Sequence, residues 1–425
     1  MGGRSESAAN GPGFVQPGQK RPAKLFHKKS RTGCQRCRAR RCDEAKPICS
    51  NCTRLQLACL YDRVGPAGPP PPSPPSGSSS SAATKETPDA EGVVDPPESE
   101  ARRKLELSLL HQYFSETGPS IAVDAASRPF WVDMASELAF KCDALLYALL
   151  LLAALHRARK PGCPDERQSL HQSSTYLGMT LRELGREIAH LSASNVDGVC
   201  LAASMLRVYA FVRFQDRELE PYTPPTSWLR MTGTSGAVFR QSAAITSMDP
   251  GSLGMRMADL VADLLDGDES HASGLAHLMR RQHPHELAEA PWDADVQAAY
   301  LSALNYIGAV WRAMRDRRPP GSVARRLIVF PLFVHARFVD MVDEERPRAL
   351  VIVAHYFALL AMLRGLWWVG DAGPREVRAI AKQLPPEWRG ALDGPLEILE
   401  DHVVFTPDME VDRLAEYAAR LRLRG

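Results

Sequence analysis

The chain has no apolar run long enough to cross a bilayer. Its two longest, Ala144–Leu155 and Val351–Leu363, fall short of the roughly 20 residues that a spanning helix needs. Each reads instead as a buried helix, and no membrane span is expected. The first residues, MGGRSESAANGPG, lack the apolar centre of a secretory signal. A secretory route is therefore not expected, and thiols should stay reduced. Strand-like alternation of apolar and polar residues is scarce, and no internal repeat is found. Motifs of enzyme chemistry are missing as well: there is no nucleophile motif, phosphate loop, carboxylate–histidine metal set or Gly-rich cofactor turn. Catalysis is therefore not expected.

Against those absences stands one concentration. Six of the nine cysteines fall between residues 34 and 59. They read Cys34-x2-Cys37-x4-Cys42-x6-Cys49-x2-Cys52-x6-Cys59. Two C-x2-C pairs, each followed by a third cysteine, mark a thiolate metal site, and reduced thiols at that spacing favour zinc over disulfides. So short a segment has too little apolar surface to fold unaided. A structural zinc supplies roughly 10–16 kcal/mol of apparent folding free energy in such modules. Six thiolates give two zinc ions four ligands each only if two sulfurs bridge, so the layout suits a binuclear cluster.

The charge is divided in the same place. The net charge is +2 over 425 residues. Between Lys20 and Arg63 there are thirteen Lys and Arg against Asp43, Glu44 and Asp62, a local balance of +10 that leaves about −8 for the rest. A basic head on a mildly acidic body predicts a polyanion partner for the head. Lys20, Arg21, Lys24, Lys28, Lys29 and Arg31 can act as phosphate contacts or as a nuclear localisation signal.

Composition separates four segments. Residues 1–19 are rich in Gly, Ser and Pro and predict disorder. Residues 20–63 form the cysteine module. Residues 64–100 hold ten Pro, seven Ser and four Gly, with no Leu, Ile, Met or aromatic residue. Nothing there can bury a core, which predicts a flexible linker. It has no heptads, so no coiled coil is expected to fix a dimer beside the module. Residues 101–425 show helical periodicity and predict one large all-α domain, with a mobile segment near 241–292. Leu105, Leu109, Leu110, Tyr113 and Phe114 share one helical face. Asp143 and Asn195 stand where they can cap helices over Leu145–His156 and Val196–Phe214. Trp228–Arg240, Gln297–Arg315 and Pro347–Val369 predict further helices, and Pro374 and Pro386 sit at helix starts.

The segment RTGCQRCRARRCDEAKPICSNCTRLQLACLY resembles the fungal binuclear zinc cluster of transcription factors. The likeness rests on Gly33-Cys34, Cys37-Arg38, Cys42-Asp43-Glu44-Ala45-Lys46-Pro47, Cys49, Cys52 and Cys59 with Tyr61 just after. It implies two zinc ions, with Cys34 and Cys49 bridging. Cys37 and Cys42 complete one ion, and Cys52 and Cys59 the other. It also implies a helix after Cys37 that enters the major groove of double-stranded DNA and reads a CGG-type triplet. Arg40 and Arg41 stand where bases are approached, while Arg36, Arg38 and Lys46 contact phosphates.

The chain departs from the family at one point. Four residues, Arg38-Ala39-Arg40-Arg41, separate Cys37 from Cys42, where the family has six. Removing two helical residues shortens the axis by about 3 Å and turns the downstream chain by about 200°. Cys42 then reaches zinc through an altered loop, the first zinc is strained or lost, or the deduced sequence has lost two residues to a splicing error.

Beyond the linker, several segments resemble the C-terminal domain of fungal zinc-cluster regulators related to sterol uptake control. They are Leu105–Pro119, Phe130-Trp131, Ala144–His156, Ser227-Trp228-Leu229, Arg346–Tyr356, Trp367-Trp368 and Leu384–Trp388. The resemblance implies a nuclear regulator of RNA polymerase II genes that self-associates through the helical domain, meets the transcription machinery and can bind an apolar ligand. The alternative is an interaction protein whose degenerate cluster titrates related regulators. The residues themselves favour core over pocket for the Leu359, Leu363, Trp367 and Trp368 stripe, and a core role for His355.

Overall fold

The structure, a computed structural model, describes Cys34, Cys49, Ser50, Cys52, residues 97–246, Leu253, Arg256, residues 274–401 and residues 403–420. The chain divides into two compact units, Met1–Pro88 and Asp89–Gly425. Most of the 64–100 linker, the acidic group Asp263, Asp266, Asp268 and Glu269, and much of the 241–292 segment lie outside the described residues.

Among the described residues the second unit is helical and contains no strand. The helices of eight or more residues are α1 Glu100–Gln112, α2 Asp143–Arg159, α3 Glu166–Ala189, α4 Val196–Gln215, α5 Thr226–Thr246 and α6 Ala294–Arg315. They continue with α7 Pro320–Phe333, α8 Ala336–Asp343, α9 Pro347–Leu360, α10 Ala372–Gln383, α11 Asp393–Glu400 and α12 Val411–Arg420.

Local chemistry explains several helix ends. The Ser99 hydroxyl accepts from the Arg102 amide at 3.1 Å and starts α1, and the Asp293 carboxylate accepts from Val296 at 2.9 Å and starts α6. These bonds satisfy amide groups that have no partner within the helix. Two expected caps are replaced. Asp143 is the first helical residue of α2, behind Cys142, and makes no capping bond. Asn195 precedes α4, but its side chain accepts from the Ser192 amide at 2.8 Å and donates to Glu187 at 2.6 Å. It thus closes the α3–α4 turn rather than the helix. The expected helix over Pro347–Val369 ends earlier: α9 stops at Leu360 and a 3-10 turn carries the chain to Gly365.

α9 is the axis of the core. Every residue from Arg348 to Leu360 is buried, and α6, α7, α8, α10 and α11 all pack on it. The stretch Pro347–Gly365 is long and apolar enough to span a membrane, yet most of it is buried inside the protein. Its apolarity is that of a helix covered on all sides. An aromatic cluster holds this centre. Phe330 stacks on Tyr356 at 4.1 Å and Phe214 on Trp228 at 4.6 Å, contacts that add specific geometry to apolar burial. Leu359, Leu363 and Trp368 are buried in the same core. Trp367 is partly buried: its ring lies 4.3 Å from His156 and its Nε1 donates to Ser120 at 3.0 Å. The stripe is core packing, as its pattern favoured.

Partly buried ion pairs join distant segments. Arg217 donates to Glu376 Oε2 at 2.9 Å, tying the end of α4 to α10. Arg325 of α7 pairs with Asp124. Burial would raise the Asp124 carboxyl, but the Ser127 hydroxyl and amide and the Arg325 guanidinium hold it below the ordinary carboxylate range. His283 caps a short helix, Pro284–Leu287, and His285 within it lies edge-on to Trp388 at 5.1 Å.

Candidate metal centre

The described residues of the first unit are few and chemically specific. Cys34, Cys49 and Cys52 are all buried. Cys49 stands directly before helical Ser50 and Cys52. A C-x2-C pair at the opening of a helical turn places two sulfurs on one side of it. Cys34 arrives from fifteen residues away.

The Cys34 sulfur lies 3.8 Å from Cys49 Sγ and 3.8 Å from Cys52 Sγ, and all three sulfurs are within 4.8 Å of one another. A disulfide would hold its sulfurs at about 2.05 Å, far closer than the Cys34 spacings. Zinc–sulfur bonds of about 2.3 Å at tetrahedral angles separate sulfurs by about 3.8 Å. Two of the three spacings therefore match the edge of a zinc–thiolate tetrahedron. Three buried thiolates this close would repel strongly without a cation among them. The donor set fits zinc, and the three sulfurs would occupy three corners of one coordination sphere.

The other proposed ligands, Cys37, Cys42 and Cys59, and the proposed DNA contacts Arg36, Arg38, Arg40, Arg41 and Lys46 lie outside the described residues. In the helical unit Cys142 and Cys200 are buried and Cys163 is half-buried. Burial pushes the Cys142 and Cys200 thiols up, Cys200 to about 11, so both are inert neutral packing groups at neutral pH.

One network in the helical unit was marked in the sequence only as a weak motif. Arg348 is buried with Glu289, to which its Nε donates at 2.7 Å. Its Nη1 donates to the carbonyls of Leu278 and Arg280. The guanidinium lies between the Trp292 ring at 5.0 Å and the Trp388 ring at 5.2 Å. Arg346, two residues earlier, pairs with Glu344 at 2.6 Å. The Arg-Pro-Arg sequence thus starts α9 and pins the 278–292 segment to it. This is a structural anchor rather than a reactive site.

A depression of about 710 Å³ lined by Asp401, Val403, Arg413, Glu416, Ala419 and Arg420 is open to solvent and carries both charges. It does not have the character of an apolar ligand pocket.

Comparison with known proteins agrees with the thiolate site. The fungal Zn(2)-Cys(6) binuclear cluster domain matches residues 32–65. The chain is 33% identical over 344 residues to the Zn(2)-C6 fungal-type transcription factor afumD of Aspergillus fumigatus, covering 79% of this chain and 86% of that protein. It is 24% identical over 454 residues to a Zn(2)-C6 fungal-type transcription factor of Gibberella zeae, covering 89% and 87%. To sterol uptake control protein 2 of Saccharomyces cerevisiae it is 53% identical over 261 residues, 60% of this chain and 27% of that protein.

Proposed function

Because the chain belongs to the Zn(2)-C6 fungal-type transcription factors, we propose that it regulates RNA polymerase II genes by reading CGG-type sites through its zinc-cluster helix. The coarser statement needs no proposal: the chain is a transcription factor, not an enzyme, its cofactor is two zinc ions, and its partner is DNA. The observation that carries the finer reading is the trio of buried sulfurs, two of whose spacings match the zinc tetrahedral edge, inside a segment of charge +10.

In this reading Cys34 and Cys49 bridge the ions, Cys37 and Cys42 complete one, and Cys52 and Cys59 complete the other. Zinc supplies the crosslink that a segment without an apolar core lacks. The side chains then divide the work. Arg40 and Arg41 donate to base edges, where the guanidinium fork matches the two acceptors of guanine. Arg36, Arg38 and Lys46 donate to phosphates and set the register without reading sequence. Residues 64–100 join this head to the regulatory body at residues 101–425. One module reads few base pairs, so useful specificity requires a second copy, supplied by self-association of the helical body. The protein acts in the nucleus, on a metabolic or secondary-metabolite gene cluster, through contact with the transcription machinery. An apolar ligand of the helical body belongs to the same proposal, by kinship alone.

The test is metal stoichiometry of the full chain alongside selection from random DNA sites. Two zinc ions and enrichment of CGG-containing sites are expected. A chain without zinc, or one without site preference, overturns the reading. A second reading rests on the four-residue Cys37–Cys42 gap: an interaction protein with a degenerate cluster that titrates related regulators. It predicts association with those regulators and no selected site.

A further inference from the structure

Residues 274–292 meet α9 at Arg348 and at His355, about two helical turns apart. The segment has little of its own to hold it there. Its two helical pieces, Ala276–Met279 and Pro284–Leu287, are four residues each, far below the length at which a helix is stable alone. Leu275 and Leu278 are its only buried apolar side chains. Polar ties do the rest. Arg348 donates to the Leu278 and Arg280 carbonyls and to Glu289, and Tyr300 donates to Glu289. Within the segment, Arg281 donates to the Glu286 carbonyl at 2.8 Å and to the Glu289 carbonyl at 2.9 Å. The middle of the segment is thereby held together as one piece.

The same contact leaves buried nitrogens without partners. Arg348 Nη2, His277 Nδ1 and both ring nitrogens of His355 have no hydrogen-bond partner among the described residues. The Ala391 backbone lies near His355, but not at bonding geometry. Burial pushes both imidazoles below the ordinary histidine range, so each neutral ring carries one donor and one acceptor. A polar group that loses water and gains no bond is a net cost, and four nitrogens bear that cost where the segment docks. The rest of α9 is free of it. From Ala349 to Leu360 the other side chains are apolar except Tyr356, whose hydroxyl donates to the Leu327 carbonyl at 2.9 Å.

We propose that residues 274–292 are a strap that lifts off α9 as one piece while the surrounding helices stay folded. Arg348 is its latch, and the unpartnered nitrogens beneath it lower the cost of opening, because lifting returns them to water. Opening gives solvent access to Arg348 and His355 on a helix that is otherwise enclosed. The helical body then has a closed and an open form, and any partner that binds one of them better shifts the balance.

Native-state hydrogen exchange of the full chain is the test. The amides of Leu278, Arg280, Glu286, Leu287 and Ala288 are bonded within the segment. They should exchange through one common opening, about 100-fold or more faster than the amides of α9 from Val351 to Leu360. His355→Leu removes two of the unpartnered nitrogens and should slow exchange of the segment by about 10-fold.

Segment amides that exchange at the rate of α9 would overturn the proposal, since the strap would then open only when the body unfolds. So would amides that open independently of one another, which is fraying rather than lifting. Unchanged exchange in His355→Leu would overturn the part assigned to the unpartnered nitrogens. The zinc-cluster reading stands apart from all of these outcomes.

Discussion

Glu289 and Arg348 form an ion pair from which water is almost wholly excluded: their side chains are 6% and 1% exposed and the Nε–Oε2 distance is 2.7 Å. Tyr300 adds its hydroxyl to the other carboxylate oxygen at 2.5 Å. Removing one partner of such a pair leaves a buried charge without compensation, which costs about 3–5 kcal/mol. Glu289→Ala should therefore lower the unfolding free energy of the helical unit by that amount in denaturant titration. An effect below about 1 kcal/mol, the level of an exposed pair, would show that water reaches the guanidinium.

The start of α7 predicts a steric effect. A Cβ on Gly321 would overlap the side chain of Asp124, the carboxylate that pairs with Arg325. Gly321→Ala should destabilise by about 1–3 kcal/mol, the usual cost of overpacking. Because the clash includes the Asp124 Cβ as well as its carboxylate, the Asp124→Gly, Gly321→Ala double variant should be more stable than the sum of the single effects implies. Additive effects in thermal unfolding would place the strain elsewhere.

Acid should weaken the fold before carboxylates matter. Burial pushes the His355 imidazole down to about 3, and His277 beside it acts in the same sense. Burial, with Lys160 nearby, takes His156 down to about 4. In the unfolded chain both titrate near about 6.5. The folded state favours the neutral rings, so their contribution is intact above that pH and shrinks as pH falls toward the folded values. For His355 the slope approaches about 1.4 kcal/mol per pH unit. Urea unfolding between pH 7.5 and 5 should show this decline, and His355→Leu should remove about half of it, since His156 contributes nearly as much over that range. An unchanged slope in that variant would clear His355.

Cys52→Ser should abolish tight zinc binding and site-selective DNA binding, because it removes one of the three preplaced sulfurs. The helical signal in circular dichroism and its thermal transition should hardly move, since the described helices of eight or more residues all lie beyond residue 97. Loss of both together would mean that the body depends on the cluster to fold.

Base-reading and phosphate contacts should separate by their salt response. Arg40→Ala should cost about 1–3 kcal/mol on the selected site and relax preference there. Arg38→Ala should weaken all sequences alike and flatten the dependence of log affinity on log salt by about 0.9. The reverse pattern, measured by fluorescence anisotropy over a salt series, would exchange their roles.

Much of this was readable along the chain. The Arg346–Tyr356 segment stood out as a motif, Leu359 and Trp368 read as core, and Pro374 and Pro386 lie at helix starts as expected. The misjudged points were contests between near-equal local bonds. Asn195 can cap α4 or close the preceding turn, and Glu187 across that turn decides for the second. The helix from Pro347 stops at Leu360 although apolar residues continue, because Phe405 donates its amide to the Met362 carbonyl at 2.8 Å and draws the chain into a tighter turn.

The sequence by itself determined the metal chemistry and the helical class. Thiolate spacing and helical periodicity are local properties, written within a few turns of chain. Only the tertiary structure decided that α9 is the axis on which α6, α7, α8, α10 and α11 pack. It alone decided that Arg348 meets Glu289 and that Arg325 meets Asp124 across 201 residues. Those pairings depend on which surfaces are brought together when the apolar faces leave water. No spacing along the chain carries that information.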